Sequence, residues 1–201
     1  MKCLAVDTSG EHLTVLLIDG ERVDGEYLSE LNLRHSTMLM PTIEKVLNKS
    51  GVSIYDIDVF ACVVGPGSFT GIRIGISTIK AFSYANNKKV LPVTSFEVLE
   101  YNKPYGKNLA VIDAKHDNFY VSAFCDNKAE IEPKFISLLE LLKLKEEYNI
   151  LASKGTSYYE GNCDLYLGLV NAVKAKLSTA TLDREKLVPL YVRKSQAEEA
   201  L

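Results

Sequence analysis

The stretch IDVFACVVGPGSFTGIRIG, residues 57–75, passes from a continuous apolar run through a glycine-punctuated turn into a helical pattern. Ile57–Val64 reads as a buried strand, since a short apolar run bounded by turn signals fits a strand covered on both faces. Gly65-Pro66-Gly67 breaks it. Ser68 or Thr70 can cap the helix that follows to about Tyr84, and Asn86-Asn87 closes it. Strand, glycine turn and helix in that order are the unit of a parallel sheet, because parallel neighbours need a crossover that lies on a sheet face.

Working outward, Lys2–Thr8, Leu13–Ile18 and Arg22–Ser29 read as three short strands, with turn signals at Ser9-Gly10 and Asp19-Gly20. Helical spacing of Leu39, Ile43, Val46 and Leu47 predicts a helix from near Arg34, stopped at Gly51. Downstream come a strand at Val90–Val93, a helix over Phe96–Tyr101 capped by Ser95, and a linker at Asn102–Lys107. The pattern then restarts. Leu109–Ile112 and Phe119–Cys125 read as strands, Asp126-Asn127 as a hairpin turn, Leu138–Lys145 as a helix, Ile150–Ser153 as a strand and Leu167–Leu177 as a helix; Leu187–Val192 is the last structured piece. Leu4-Ala5-Val6-Asp7 resembles Ala110-Val111-Ile112-Asp113, and each is followed by a second strand. The expected fold is therefore α/β, built as a ββ(β)αβα unit and a shorter second copy, in two lobes at 1–102 and 103–201. Part of the C-terminal helix or tail is expected to pack back on the first lobe.

Composition narrows the function classes. Apolar residues make up 47% and charged residues 24%, which excludes a disordered chain. A net charge of −3 and a pI near 5.7 argue against autonomous nucleic-acid binding. Cys3, Cys62, Cys125 and Cys163 show no metal-ligand spacing and read as reduced thiols of a cytoplasmic protein. The N-terminus shows no secretory pattern, and no apolar stretch approaches the roughly 18 residues of a membrane span.

Three features bear on chemistry. The Gly65–Gly75 block fits either an anion or partner site at a helix start, or a tight turn capped by Ser68 or Thr70. In the helix after it, Ile72, Ile76 and Ile79 share one face, while Ile74, Ala81, Phe82 and Ala85 spread onto others; Met38 and Met40 add apolar groups to the first helix. Cover on the second side comes from the neighbouring helix or from a partner protein. Asp7 before Thr8-Ser9-Gly10 can accept the turn amides, and the small residues after it partly meet the needs of a phosphate turn. The second turn, Ala114–Asp117, is bulkier and acidic, so a duplicated phosphate clamp is degraded. His12, His35 and His116 lack the spacing of a helical metal site, and no GxSxG occurs.

Taken together, these residues resemble the TsaB (YeaZ) family. The resemblance is carried by LAVDTS at Leu4–Ser9, RHS at Arg34–Ser36, GPGSFTGIRIG at Gly65–Gly75, PVTS at Pro92–Ser95, VIDAK at Val111–Lys115 and PLYVR at Pro189–Arg193. It implies an actin-like (ASKHA, ribonuclease H-like) two-lobed fold. It also implies a non-catalytic subunit that binds and activates TsaD, with the ATPase TsaE joining, to form threonylcarbamoyl-adenosine in tRNAs reading ANN codons. The expected partner interface is His35, Met38, Leu39, Thr42, Ser68, Phe69, Thr70, Ile72, Arg73 and Ile76, used for a homodimer when TsaD is absent. Asp7, Thr8, Ser9, Gly65 and Gly67 form a vestigial nucleotide or anion site; ATP or ADP is expected only at a shared interface, and tRNA only through the complex. No metal and no membrane contact are implied. Where relatives read DARMGEVY this chain reads DAKHDNFY at Asp113–Tyr120. The competing readings are a small-molecule kinase of the actin-like superfamily and a glycoprotease-type peptidase.

Overall fold

The computed structural model describes residues 1–31 and 34–193. β1 (Lys2–Asp7), β2 (Leu13–Asp19) and β3 (Arg22–Leu28) form an antiparallel meander, followed by α1 (His35–Ser50), β4 (Val59–Val63), α2 (Phe69–Asn86) and β5 (Lys89–Val93). The first sheet has the order β3-β2-β1-β4-β5, with β1, β4 and β5 parallel. After α3 (Ser95–Glu100), β6 (Lys107–Asp113), β7 (Asn118–Cys125), β8 (Lys128–Ser137), α4 (Leu138–Leu144) and β9 (Asn149–Ala152) build a second sheet in the order β8-β7-β6-β9; α5 (Leu165–Lys176) follows. Two mixed sheets flanked by helices, the second one smaller, are the α/β architecture read from the sequence.

Alternation along the strands sorts the side chains into two cores. On one face Leu4, Val6, Val15, Leu17, Phe60 and Cys62 meet Leu39, Ile43 and Val46 of α1 and Ile72, Ile76 and Ile79 of α2. On the other, Cys3, Ala5, Leu16, Val59, Ala61 and Val63 meet Val98 of α3 and Leu169, Ala172 and Val173 of α5. The central strand β4 is buried on both faces, as its unbroken apolar run requires. Each large side chain enclosed this way, such as Phe60, stabilises the fold by about 2–3 kcal/mol. α5 follows the second sheet in the chain yet packs on the first.

Two details differ from the sequence expectations. β8 is a ten-residue strand that periodicity alone does not announce, because Lys128, Glu130, Glu132 and Lys134 lie exposed at a sheet edge. The piece at Leu187–Val192 is extended chain, fixed by a Leu190 N–H donated to the Val64 carbonyl at 2.8 Å. The second sheet has its own core around Leu109, Val111, Phe119, Val121 and Leu141. A further cluster of Phe96, Leu99, Ala110, Phe124 and Leu151 joins α3 to that sheet. At the outer edge of β9, the Asn162 side chain accepts the Ala152 N–H at 3.0 Å and donates to the Ile150 carbonyl at 2.7 Å.

Glu100, the last residue of α3, is buried at this junction with one carboxylate oxygen bonded by Asn108 and the other without a partner among the described residues. Burial pushes its pKa up to about 7, against the opposing pull of Asn108 and the Asn127 backbone. A raised acid destabilises the fold only when ionised. The penalty is absent below the unfolded value near 4.5, grows as pH rises to about 7 and is constant above that. Glu100→Gln is expected to stabilise the protein by about 1–3 kcal/mol at pH 8 and by much less at pH 4.5. Urea unfolding at the two pH values checks this; equal effects at both would contradict it.

Candidate functional site

The turn after β1 lies directly against the start of α2. Ser68 donates its N–H to the Ser9 carbonyl at 2.6 Å, and the Thr8 hydroxyl donates to the Gly71 carbonyl at 2.7 Å. The approach requires glycine at two places. A Cβ on Gly67 would stand 2.1 Å from the Ser9 carbonyl oxygen, and one on Gly71 would stand 2.0 Å from that of Thr8. Ser68 caps α2 by accepting the Gly71 N–H on its hydroxyl.

Asp7 is buried at the head of this turn and engaged on both oxygens. One accepts the N–H and the hydroxyl of Ser9, at 2.8 and 2.7 Å. The other accepts from His12 Nε2 at 2.9 Å. Burial opposes ionisation of Asp7, yet the His12 charge and the bonds from His12 and Ser9 hold its pKa below the usual carboxylate range. Burial likewise opposes protonation of His12, and Asp7 overcomes it and raises the His12 pKa. Asp7, Thr8, Ser9 and Gly67 thus come together, and Gly65 joins them through Ser95, whose N–H it accepts and whose hydroxyl bonds that of Ser9. The sequence weighed His12 only as a metal ligand; its place in the turn just before β2, five residues after Asp7, is the signal that joins them. Among the described residues no group of three His, Cys, Asp or Glu side chains could hold a metal.

The residues expected at a partner surface divide by burial. His35, Leu39, Thr42, Ile72 and Ile76 are only 1–6% exposed, so as surface contacts they are corrected. Leu39, Ile72 and Ile76 fill the core between sheet and helices, His35 donates from Nε2 to the His12 carbonyl at 2.9 Å, and Thr42 bonds its hydroxyl to the Met38 carbonyl. Met38 and Ser68 are half-buried; Phe69, Thr70 and Arg73 are exposed. Ile74 and Phe82, read as a second apolar face of α2, also pack inward, Phe82 against Phe60 at 5.7 Å. The outward face of the helix pair is therefore made of Ser36, Thr37 and Met40 on α1 and Thr70, Arg73, Ser77 and Ala81 on α2. At its end Arg73 lies over the Phe69 ring, which stacks on Tyr191. Its guanidinium carbon lies 3.8 Å from the Phe69 centroid, and its Nε donates to the Tyr191 hydroxyl at 2.8 Å.

A family model described as TsaD, tRNA N6-adenosine threonylcarbamoyltransferase, matches residues 29–177. The chain is 27% identical to the tRNA threonylcarbamoyladenosine biosynthesis protein TsaB of Bacillus subtilis, over 98% of this chain and 96% of that protein. It is 32% identical to the TsaB of Haemophilus influenzae over 59% of this chain and 52% of that one. The solved structure of YeaZ from Pseudomonas aeruginosa superposes with a TM-score of 0.73 at 22% identity, over 94% of this chain and 99% of that chain, which establishes a shared fold.

The Asp7–His12 pair makes stability depend on pH in a defined sense. The lowered Asp7 contributes above its unfolded value of about 3.8 and loses that contribution as pH falls through its folded value. The raised His12 contributes fully below about 6.5 and loses it as pH rises through its folded value. His12→Ala leaves a buried, unpaired carboxylate and is expected to destabilise by about 3–5 kcal/mol at pH 6. The loss should shrink toward pH 9, which chemical denaturation across that range will measure.

Proposed function

We propose, because this chain belongs to the TsaB family and so works in tRNA threonylcarbamoyladenosine biosynthesis, that it does so as a non-catalytic subunit that binds and activates TsaD. The observation that carries the reading is the closed turn. Thr8 and Ser9 are backed against the glycines of α2, and Asp7 is engaged by His12 and Ser9. A phosphate-handling turn needs free amides facing open space. Here Asp7 takes the Ser9 amide and the Ser9 carbonyl takes the Ser68 amide, which favours a scaffold over a free-standing kinase.

The docking surface in this reading is the outward face of α1 and α2, with Met40, 43% exposed, and Phe69, 45% exposed, as its large apolar groups. The small side chains between them, Ser36, Thr37, Ser77 and Ala81, let a partner helix approach closely. The same face serves a second copy when TsaD is absent. TsaE joins the pair, nucleotide enters only at a surface shared with a partner, and tRNA is held by the complex.

Alone, the chain is expected neither to turn over ATP nor to modify tRNA. Added to TsaD and TsaE, it should be required for modified tRNA to appear, which chromatography of the digested nucleosides will show. Turnover of a small substrate by the purified chain would overturn the scaffold reading. For the surface, Met40→Glu and Ser77→Arg should each weaken TsaD binding by tenfold or more, about 1.4 kcal/mol, without lowering the thermal midpoint. The core position Ile76 is unsuitable for this test, since a charge there would unfold the helix pair.

A further inference from the structure

We infer that residues 187–193 form a strap across both lobes, and that Tyr191 within it is a positioning residue for Arg73 at the start of α2. The effect on partner binding rests on the surface proposed above; the strap stands on its contacts alone. Leu187 is fully buried in the core of the first sheet. Leu190 packs against both that core and the junction cluster on the second sheet. Its carbonyl passes the Gly65 position so closely that a Cβ there would stand 3.2 Å from it.

Beyond Leu190 successive residues separate to opposite lobes. Tyr191 turns to α2, where its ring stacks on Phe69 at 5.3 Å and its hydroxyl accepts the Arg73 Nε–H. Val192 packs into the junction cluster with Ile112 and Tyr120, and the Arg193 guanidinium lies 4.8 Å from the Phe135 ring on β8. One extended segment therefore holds the first lobe through residues 187, 190 and 191 and the second through 190, 192 and 193. Any change in the angle between the sheets pulls on the Tyr191 end.

Arg73 and Lys80 are the charged residues of α2, and a free arginine samples many rotamers. The Phe69 ring and the Tyr191 hydroxyl reduce that freedom, so a partner meets a guanidinium already restrained. The two motifs that meet here, GPGSFTGIRIG and PLYVR, are far apart in the chain.

The test compares wild type, Tyr191→Phe, which keeps the stack and loses the hydroxyl, and Tyr191→Ala, which loses both. Without partner, Tyr191→Ala should raise hydrogen exchange several-fold in both 65–73 and 119–124, leaving β1 and β2 unchanged. The Arg73 Nε–H resonance should exchange faster in both variants. A change confined to 189–193 overturns the strap, and an unchanged Arg73 resonance overturns the positioning role. With TsaD, binding should weaken about tenfold in Tyr191→Ala and two- to threefold in Tyr191→Phe at an unaltered thermal midpoint. If wild type binds and both variants bind equally well, the positioning role falls and the partner surface stands. If wild type does not bind, the partner reading falls, and the exchange measurements still decide the strap.

Discussion

The contact between the carbonyls of Thr8 and Ser9 and the glycines at 67 and 71 sets the rest of the first lobe in place. It joins backbone to backbone, so no side-chain rotation can relieve or replace it. It fixes how far α2 stands above β1, and so the depth of the core into which Leu39, Ile72 and Ile76 fit. It also places the Asp7 carboxylate beneath the turn, where His12 and the Ser9 amide and hydroxyl bond it. Within this contact the Ser9 amide donates to Asp7 and the Ser9 carbonyl accepts from Ser68.

Much of this was legible in the residues, and the part that was not has a physical reason. The doubly apolar run at Ile57–Val64, the glycine turn and the repeated strand-Asp start identified the parallel sheet and its second copy, because burial on two faces leaves no other pattern. The sequence left cover of the second side of α2 open between the neighbouring helix and a partner protein. Ile74 and Phe82 fall off the main apolar stripe, yet a helix set between a sheet and another helix buries more than half its circumference, so both turn inward. The residues left outside are small or polar, and their meaning depends on what lies beside them. The pairing of Asp7 with His12 and of Arg73 with Tyr191 arises only once the chain has folded. Helical or strand periodicity carries no information about partners that distant.

The two lobes share a detail of hydrogen bonding. Asp7 accepts the Ser9 amide and Asp113 accepts the Lys115 amide at 2.6 Å, so each first strand ends in the same two-residue loop-back. After that the copies diverge. Ser9 leads to Gly10, which a Cβ would drive into the His12 ring, whereas Lys115, His116 and Asp117 all take left-handed backbone conformations. Asp113 binds the Ser157 hydroxyl and Asp117 that of Tyr158, so the second loop is held to the segment after β9, while the Asp117 carbonyl accepts the N–H of Leu138 at the start of α4 at 2.9 Å.

The clasp of Asn162 on β9 matters for association. One amide side chain takes both the donor and the acceptor that a neighbouring strand would use, and so stands in for a strand of one residue. At the opposite edge β8 presents Pro133 among alternating charges. In the first sheet Thr181 pairs with Val90 on β5, and β3 carries Asp24 and Glu26 in ion pairs. With these margins blunted, sheet-to-sheet polymerisation is disfavoured, and another chain must approach this protein by side-chain contact, not by adding a strand.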